Sequence, residues 1–204
     1  MKCLQVPLVL GVLDWSHIPN VEIDYRLRDK PTNVRAFAQI CRSDTALFLR
    51  MYAYEEEIRA EETGKNGIPC NDSCLEFFFS PHSDENRYFN IEINPNGCMY
   101  LGIGTNVHDL IRLVFEEDEQ QERIFMIETE RSDRYWCVTY QIPYSFIRQF
   151  FPRFTSDAGT QIRANFYKCA DLSNKPHHLT WNPIYAKKPG AFHTPEEFGL
   201  LEFI

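Results

Sequence analysis

The chain has 204 residues and a formal net charge of −8 at neutral pH, with 44% hydrophobic and 14% aromatic residues. This length fits one domain over residues 1–204 and supplies ample apolar material for a core. The negative charge argues against nucleic acid or an anionic membrane as the partner, because binding to phosphates requires a cationic surface. A neutral ligand is easier to reconcile with this charge than a phosphorylated one.

Apolar side chains alternate with other residues along most of the chain, and this period of two is typical of β-strands. The segment Asn94-Pro95-Asn96-Gly97 predicts a hairpin turn, because Asn and Gly tolerate a positive φ. The predicted strands are, in chain order, 6–10, 34–41, 47–54, 75–79, 88–94, 99–103, 123–130, 134–142, 161–169 and 200–204.

Little helix is predicted between these strands. Residues 143–150 form a short helix in this interpretation, with Pro143 in the first turn, where its missing N–H costs nothing. The charge-rich segments 55–67 and 116–122 are predicted to be solvated loops. Evenly spaced strands with one or two short helices predict an all-β fold, an antiparallel β-sandwich of the jelly-roll or immunoglobulin-like type.

The cysteines and the N-terminus bear on the cellular compartment. Seven scattered cysteines, an odd number, are predicted to be small buried hydrophobic residues in a reducing compartment. Cys70 and Cys74 form the only close pair, and no second pair completes a zinc site. Residues 2–13 loosely imitate a signal peptide, but Pro7 and Gly11 interrupt the apolar run. The sequence therefore favours the cytoplasm and predicts no membrane span.

Several polar side chains project from strands whose opposite faces are apolar. They are Glu76, Asn90, Glu92, Arg163 and Asn165. Carboxylates, amides and a guanidinium on one surface suit the hydroxyls of a sugar, although ordinary outward-facing polar residues would give the same pattern. Glu76 stands out because a carboxylate among three phenylalanines needs a partner, and Arg163 is the candidate.

Two separated segments carry a family resemblance. Residues 71–81 read Asn-Asp-Ser-Cys-Leu-Glu-Phe-Phe-Phe-Ser-Pro, and residues 192–203 read Phe-His-Thr-Pro-Glu-Glu-Phe-Gly-Leu-Leu-Glu-Phe. With the turn Trp181-Asn182-Pro183 they resemble the family 9 carbohydrate-binding modules. The resemblance implies a β-sandwich that binds a mono- or oligosaccharide without catalysis, in support of carbohydrate breakdown, and that family usually serves outside the cell.

The resemblance also implies roles for individual residues. Glu76 matches the glutamate that bonds sugar hydroxyls in the family, and Phe192 occupies the place of a stacking tryptophan. A second stacking tryptophan of the family has no aromatic counterpart at residues 68–70, and Glu92 stands at the arginine position. Trp181 is a second stacking candidate or a core residue, and His193 would line the rim. The family's structural calcium is a possible cofactor, but its ligands cannot be placed here.

Other functions stay open at this point. Glu76 and Glu92 on adjacent strands could serve as the acid and the nucleophile or base of a glycoside hydrolase. An interaction module without a small ligand is a further class. Histidine loops could bind a metal, and Met99 or Met126 could bind haem. The histidines in question are His108, His177, His178 and His193.

Overall fold

The computed structural model describes residues 1–27, 32–116, 118–186 and 190–204, without the side chains of residues 118 and 119. In these ranges the chain forms fourteen strands and two short α-helices. The strands are β1 (Cys3–Val6), β2 (Val21–Ile23), β3 (Tyr25–Arg26), β4 (Arg35–Arg42), β5 (Ala46–Tyr54), β6 (Cys74–Ser80), β7 (Tyr88–Ile93), β8 (Met99–Gly104), β9 (Ile111–Arg112), β10 (Glu128–Arg131), β11 (Tyr135–Pro143), β12 (Gln161–Cys169), β13 (His178–Thr180) and β14 (Gly199–Phe203). The helices are α1 (Asp118–Phe125) and α2 (Tyr144–Phe150), and neither is long and apolar enough to cross a membrane.

The strands form two sheets. The larger sheet has the order β1-β14-β12-β6-β7-β8-β9, and β13 and β3 extend it beside β12. The smaller sheet has the order β10-β11-β5-β4-β2. Pairing between the strands is antiparallel except at one edge, where β1 runs parallel to β14. The predicted all-β sandwich is confirmed, and the parallel edge pair is a feature that alternation alone does not reveal.

One side of each sheet contributes to a shared hydrophobic core. From the larger sheet, Phe77 and Phe79 of β6 stack on each other with ring centroids 5.1 Å apart, and Phe77 also stacks on Phe166 of β12 at 5.0 Å. The smaller sheet supplies Leu49 of β5 and Val138 of β11 to the same cluster. Each fully buried side chain of this size contributes roughly 1.5–3 kcal/mol to stability, so this interior layer holds the two sheets together.

The other side of the larger sheet is also covered. A second apolar cluster lies there, and it includes Phe78 and Tyr88 from the sheet and Phe192 and Phe198 from the chain after β13. Burial on both faces explains why every residue of β6 and β7 is buried. Residues 181–186 and 190–198, between β13 and β14, therefore form a cover over this face of the sheet.

Some predicted elements are confirmed and others are wrong. The helix predicted at 143–150 is α2, and the turn at 94–97 closes with Gly97 donating to the Asn94 carbonyl at 3.0 Å. The first strand is Cys3–Val6 rather than 6–10. The strand predicted at 123–130 begins only at Glu128, because residues 123–125 belong to helix α1. The same helix occupies residues 118–122, where a solvated loop was predicted. Phe125 lies at the end of that helix and is buried. The apolar residues at this end of the helix fit the alternating pattern of a strand.

Candidate functional site

A cavity of about 770 Å³ lies on the covered face of the larger sheet. Glu76 of β6 and Glu92 of β7 form part of its floor, and Phe192 and His193 belong to its wall. This volume lies within the range of small-molecule sites in proteins. Four of the residues predicted from the sequence thus meet in one cavity.

The two glutamates are direct neighbours across the sheet. Glu76 and Glu92 are opposed in the register of β6 and β7, and both side chains are buried. The Asn90 amide donates to Glu92 Oε1 at 2.9 Å, and the Cys169 thiol donates to Glu76 Oε1 at 2.8 Å. These contacts hold both carboxyl groups in place at the cavity floor.

The environment favours the protonated form of both carboxyl groups. Burial, followed by the charge of Glu92, raises the pKa of Glu76 well above its usual range. Burial also raises the pKa of Glu92 to about 7. Near neutral pH the pair therefore offers both a protonated carboxyl group, which can donate a hydrogen bond, and an oxygen-rich acceptor surface. A hydroxyl group, which donates and accepts, is matched to such a pair.

Phe192 stiffens one wall of the cavity. Its ring stacks on Tyr167 with centroids 4.2 Å apart, and the Tyr167 hydroxyl donates to the Phe192 carbonyl at 3.0 Å. His178 packs against the ring edge-on at 5.7 Å. Only 8% of Phe192 is exposed, so most of the ring that the family resemblance assigns to sugar stacking is already covered by protein.

Tyr185 supplies the exposed aromatic surface that Phe192 lacks. It lines the cavity with 71% of its surface exposed, and it meets Tyr25 edge-to-face at 6.2 Å. Glu197 Oε2 accepts from the Tyr185 backbone N–H at 2.7 Å and so anchors this part of the cover. Sequence analysis missed Tyr185, although an aromatic residue two positions after the Trp181-Asn182-Pro183 turn was a usable signal.

His193 and His178 have separate partners at the cavity. His193 Nδ1 lies 2.8 Å from the Tyr88 hydroxyl, and burial lowers the pKa of His193 to about 4. The ring is therefore neutral at pH 7, with one ring nitrogen carrying a proton and the other able to accept a hydrogen bond. His178 Nε2 contacts Asp171 Oδ1 at 2.7 Å. The two imidazoles thus offer hydrogen bonds in the wall of the cavity.

The remaining predicted site residues lie outside the cavity. Asn90 reaches it only through Glu92, as described above. Asn165 is fully buried and bonds the backbone of Asn182, with its Nδ2 donating to the carbonyl at 3.1 Å and its Oδ1 accepting at 2.8 Å. Trp181 belongs to the main core, where it packs edge-on against Phe166. Both residues hold the cover in place, and neither is available for direct contact with a ligand in the cavity.

Arg163 is not the partner of Glu76. The residue of β12 opposite Glu76 is Tyr167, whereas Arg163 is opposite Ser80, four residues further along the strand. At about 3.3 Å per residue, this offset corresponds to roughly 13 Å along the strand. The Arg163 guanidinium instead donates to the Glu85 carbonyl at 2.7 Å.

A buried ion pair corrects the loop prediction for residues 55–67. Lys168 Nζ lies 3.2 Å from Glu55 Oε2, and both side chains are almost completely buried. Lys168 Nζ is also 2.9 Å from His177 Nε2, and Glu55 Oε1 accepts from Trp136 Nε1 at 2.6 Å. Glu55 is therefore an interior residue that links the two sheets, and His177 is committed to this pair rather than to a metal.

A second cavity of about 510 Å³ lies beside this ion pair. It is lined by residues 55–57 and 173–177, and none of the predicted sugar-binding residues lies there. Lys175 Nζ pairs with Glu56 Oε2 at 2.7 Å within it. The two ion pairs already occupy Glu55, Glu56 and Lys175, which leaves fewer free partners for a ligand in this cavity.

Comparison with known families identifies the chain. The sequence model of Carbohydrate-binding family 9 matches residues 10–203. The chain belongs to this family. Such modules bind carbohydrate without catalysis, which agrees with the hydroxyl-matched cavity. A search of curated protein sequences found no match.

Solved structures of similar fold include proteins from two organisms. A candidate carbohydrate-binding protein from Bacteroides uniformis is 27% identical, with 100% of this chain and 99% of that chain covered and a TM-score of 0.81. A family 9 module from Caldicellulosiruptor kristjanssonii in complex with cellotriose is 14% identical, covers 99% of this chain and 93% of that one, and has a TM-score of 0.67. The same organism's module in complex with glucose is 15% identical, with 100% and 96% covered and a TM-score of 0.67.

Proposed function

We propose that the cavity beneath the cover binds a saccharide, with Glu76 and Glu92 bonding its hydroxyl groups. The observation that carries this proposal is the buried, directly opposed carboxyl pair on the floor of a cavity with an exposed tyrosine at its rim. A neutral polyol meets both a donor and an acceptor in this pair, whereas an anionic ligand would meet unfavourable carboxylate charge.

Tyr185 is the proposed stacking platform for the sugar ring. The C–H faces of sugars pack on aromatic rings, and Tyr185 is the aromatic side chain at this cavity with a large free surface. Phe192 supports the wall of the cavity through its stack on Tyr167, and His193 contributes a hydrogen bond from its neutral ring. This division of roles compensates for the aromatic residue that is missing at positions 68–70.

Calorimetric titration with glucose and cellotriose tests the proposal, because family 9 modules of related fold have been solved with these two sugars. Tyr185→Ala should weaken binding about fivefold, since aromatic contacts contribute on the order of 1 kcal/mol. Glu76→Gln should weaken it about two- to tenfold, since the amide nitrogen cannot accept as a carboxyl oxygen does and a typical hydrogen bond contributes roughly 0.5–1.5 kcal/mol.

Tyr54→Ala is the matched control, because Tyr54 is a 44% exposed tyrosine on the smaller sheet. Its affinity for both sugars should equal that of the wild type. Weakened binding in Tyr54→Ala with unchanged binding in Tyr185→Ala would move the site to the other sheet. Release of new reducing ends from cello-oligosaccharides, abolished by both Glu76→Gln and Glu92→Gln, would contradict non-catalytic binding.

A further inference from the structure

Three buried side chains beneath the cavity form a cluster of metal-ligand type. Cys74 of β6 and Cys169 of β12 are directly opposed in the sheet register, and Glu76 follows two residues after Cys74 on the same face. The two sulfur atoms and a Glu76 carboxylate oxygen all lie within 4.8 Å of one another. In a tetrahedral zinc site with bonds of about 2.3 Å, two sulfur ligands are separated by about 3.8 Å, so small side-chain rotations would complete the geometry.

The carboxylate in this cluster lacks a cationic partner. Within the described residues Glu76 takes part in no ion pair, and its hydrogen bond comes from the weak thiol donor of Cys169. Glu76 is only 2% exposed, so water compensates little for that deficit. A buried carboxyl group normally has a strong donor or a cation, and this one is aimed into a cavity instead.

A third cysteine, Cys70, lies at the same cavity but outside the cluster. Its carbonyl lies 3.9 Å from Cys169 Sγ. The spacing of the cysteines in the sequence does not predict this arrangement, because Cys169 is distant in the chain from Cys70 and Cys74. The pairing of β12 with β6 brings Cys169 next to Cys74. The fold thereby brings two of the seven cysteines to one glutamate.

We propose that Cys74, Cys169 and Glu76 bind a thiophilic divalent cation of the Zn²⁺ class, with Cys70 or a ligand in the cavity as the fourth donor. Two sulfur ligands and one carboxylate favour zinc over the hard calcium ion, which prefers oxygen donors. Glu76 and Cys169 line the cavity, so the cation would sit at its floor with one coordination position facing the interior. The cation site and the proposed sugar site share Glu76, and Cys74→Ala separates the two proposals because Cys74 does not line the cavity.

Binding of the cation releases protons. Zn²⁺ displaces the thiol protons of Cys74 and Cys169 and the proton of the buried Glu76 carboxyl group, which all leave to solvent, and it bonds to two thiolates and one carboxylate. Three negative charges meet two positive charges, which leaves a net charge of −1 at the site. Because protons are released, binding should strengthen as pH rises.

Titration of the reduced full-length chain with Co²⁺, followed by displacement with Zn²⁺, tests this site. The wild type should show a thiolate-to-cobalt charge-transfer band that saturates at one equivalent and disappears when Zn²⁺ is added. Cys74→Ala and Cys169→Ala should each weaken Zn²⁺ binding at least about tenfold in competition with a chromophoric chelator, because each removes a direct ligand. Cys41→Ala is the matched control, since Cys41 is equally buried but lies on β4 of the other sheet, and it should bind Zn²⁺ like the wild type.

The absence of a charge-transfer band in the reduced wild type would overturn the proposal. So would a band of unchanged intensity and affinity in both Cys74→Ala and Cys169→Ala. If these variants do not fold, Glu76→Gln, which keeps the side-chain shape, should still weaken Zn²⁺ binding at least about tenfold, because it removes the carboxylate ligand. An unchanged affinity there would also refute the site.

Discussion

Replacement of Lys168 by methionine should destabilise the protein strongly. Lys168 is fully buried, and its ammonium group contacts Glu55 at 3.2 Å, His177 at 2.9 Å and the Cys169 carbonyl at 2.8 Å. Methionine fills a similar volume but leaves the Glu55 carboxylate buried without its cation. Breaking one side of a buried ion pair costs about 3–5 kcal/mol, and we expect Lys168→Met to fall in this range.

Removal of both charges should restore much of the lost stability. In Lys168→Met combined with Glu55→Gln no charge remains unpaired, and the side-chain oxygen of the introduced glutamine can still accept from Trp136 Nε1. We expect the double variant to lose less than about 2 kcal/mol, because buried ion pairs contribute little net stability over neutral replacements. The coupling between the two positions should therefore exceed about 1 kcal/mol.

Urea unfolding followed by tryptophan fluorescence measures these differences, since Trp136 and Trp181 are buried in the native state. Lys2→Met is the control, because Lys2 pairs with Asp24 at a similar 3.1 Å but in an exposed position. Exposed pairs contribute less than about 1 kcal/mol, so this variant should unfold near the wild-type midpoint. An equal, small loss in Lys168→Met and Lys2→Met would refute the reasoning.

Three further predictions concern the cover and the cavity. Gly199→Ala should lose about 1–3 kcal/mol in the same urea assay, because the new Cβ would overlap the buried Trp181 ring. Asn165→Ala should lose about 2 kcal/mol yet change glucose affinity less than about twofold, since its contacts are with the Asn182 backbone. The pKa of His193 is lowered by burial from 6.5 to about 4, so its neutral form stabilises the fold above pH 6.5, and this contribution is lost as the pH falls toward 4. The wild type should therefore lose stability between pH 7 and pH 4, and His193→Gln should reduce this loss by up to about 2 kcal/mol. Urea unfolding at both pH values measures the two losses.

Local patterns predicted much of the sandwich because they depend on neighbours in sequence. Successive side chains of a strand point to opposite faces of the sheet, so Phe77 and Glu76 lie on different faces in any fold where this segment is a strand. The motif around Glu76 and the late segment beginning at Phe192 indicated the family and three residues of the cavity, Glu76, Phe192 and His193. The sequence analysis missed helix α1 because the few apolar residues at its end fit the period of a strand as well as that of a helix.

Contacts between distant strands depend on register, which the amino-acid sequence by itself does not display. Pairing of β12 with β6 places Tyr167 rather than Arg163 opposite Glu76, and it brings Cys169 to Cys74. Burial of Glu55 and Lys168 likewise arises only when the two sheets pack together. The sequence thus determined most of the long strands, the family and the chemical groups available. The tertiary structure decided which of those groups share one cavity, because a shift of register changes every cross-strand partner.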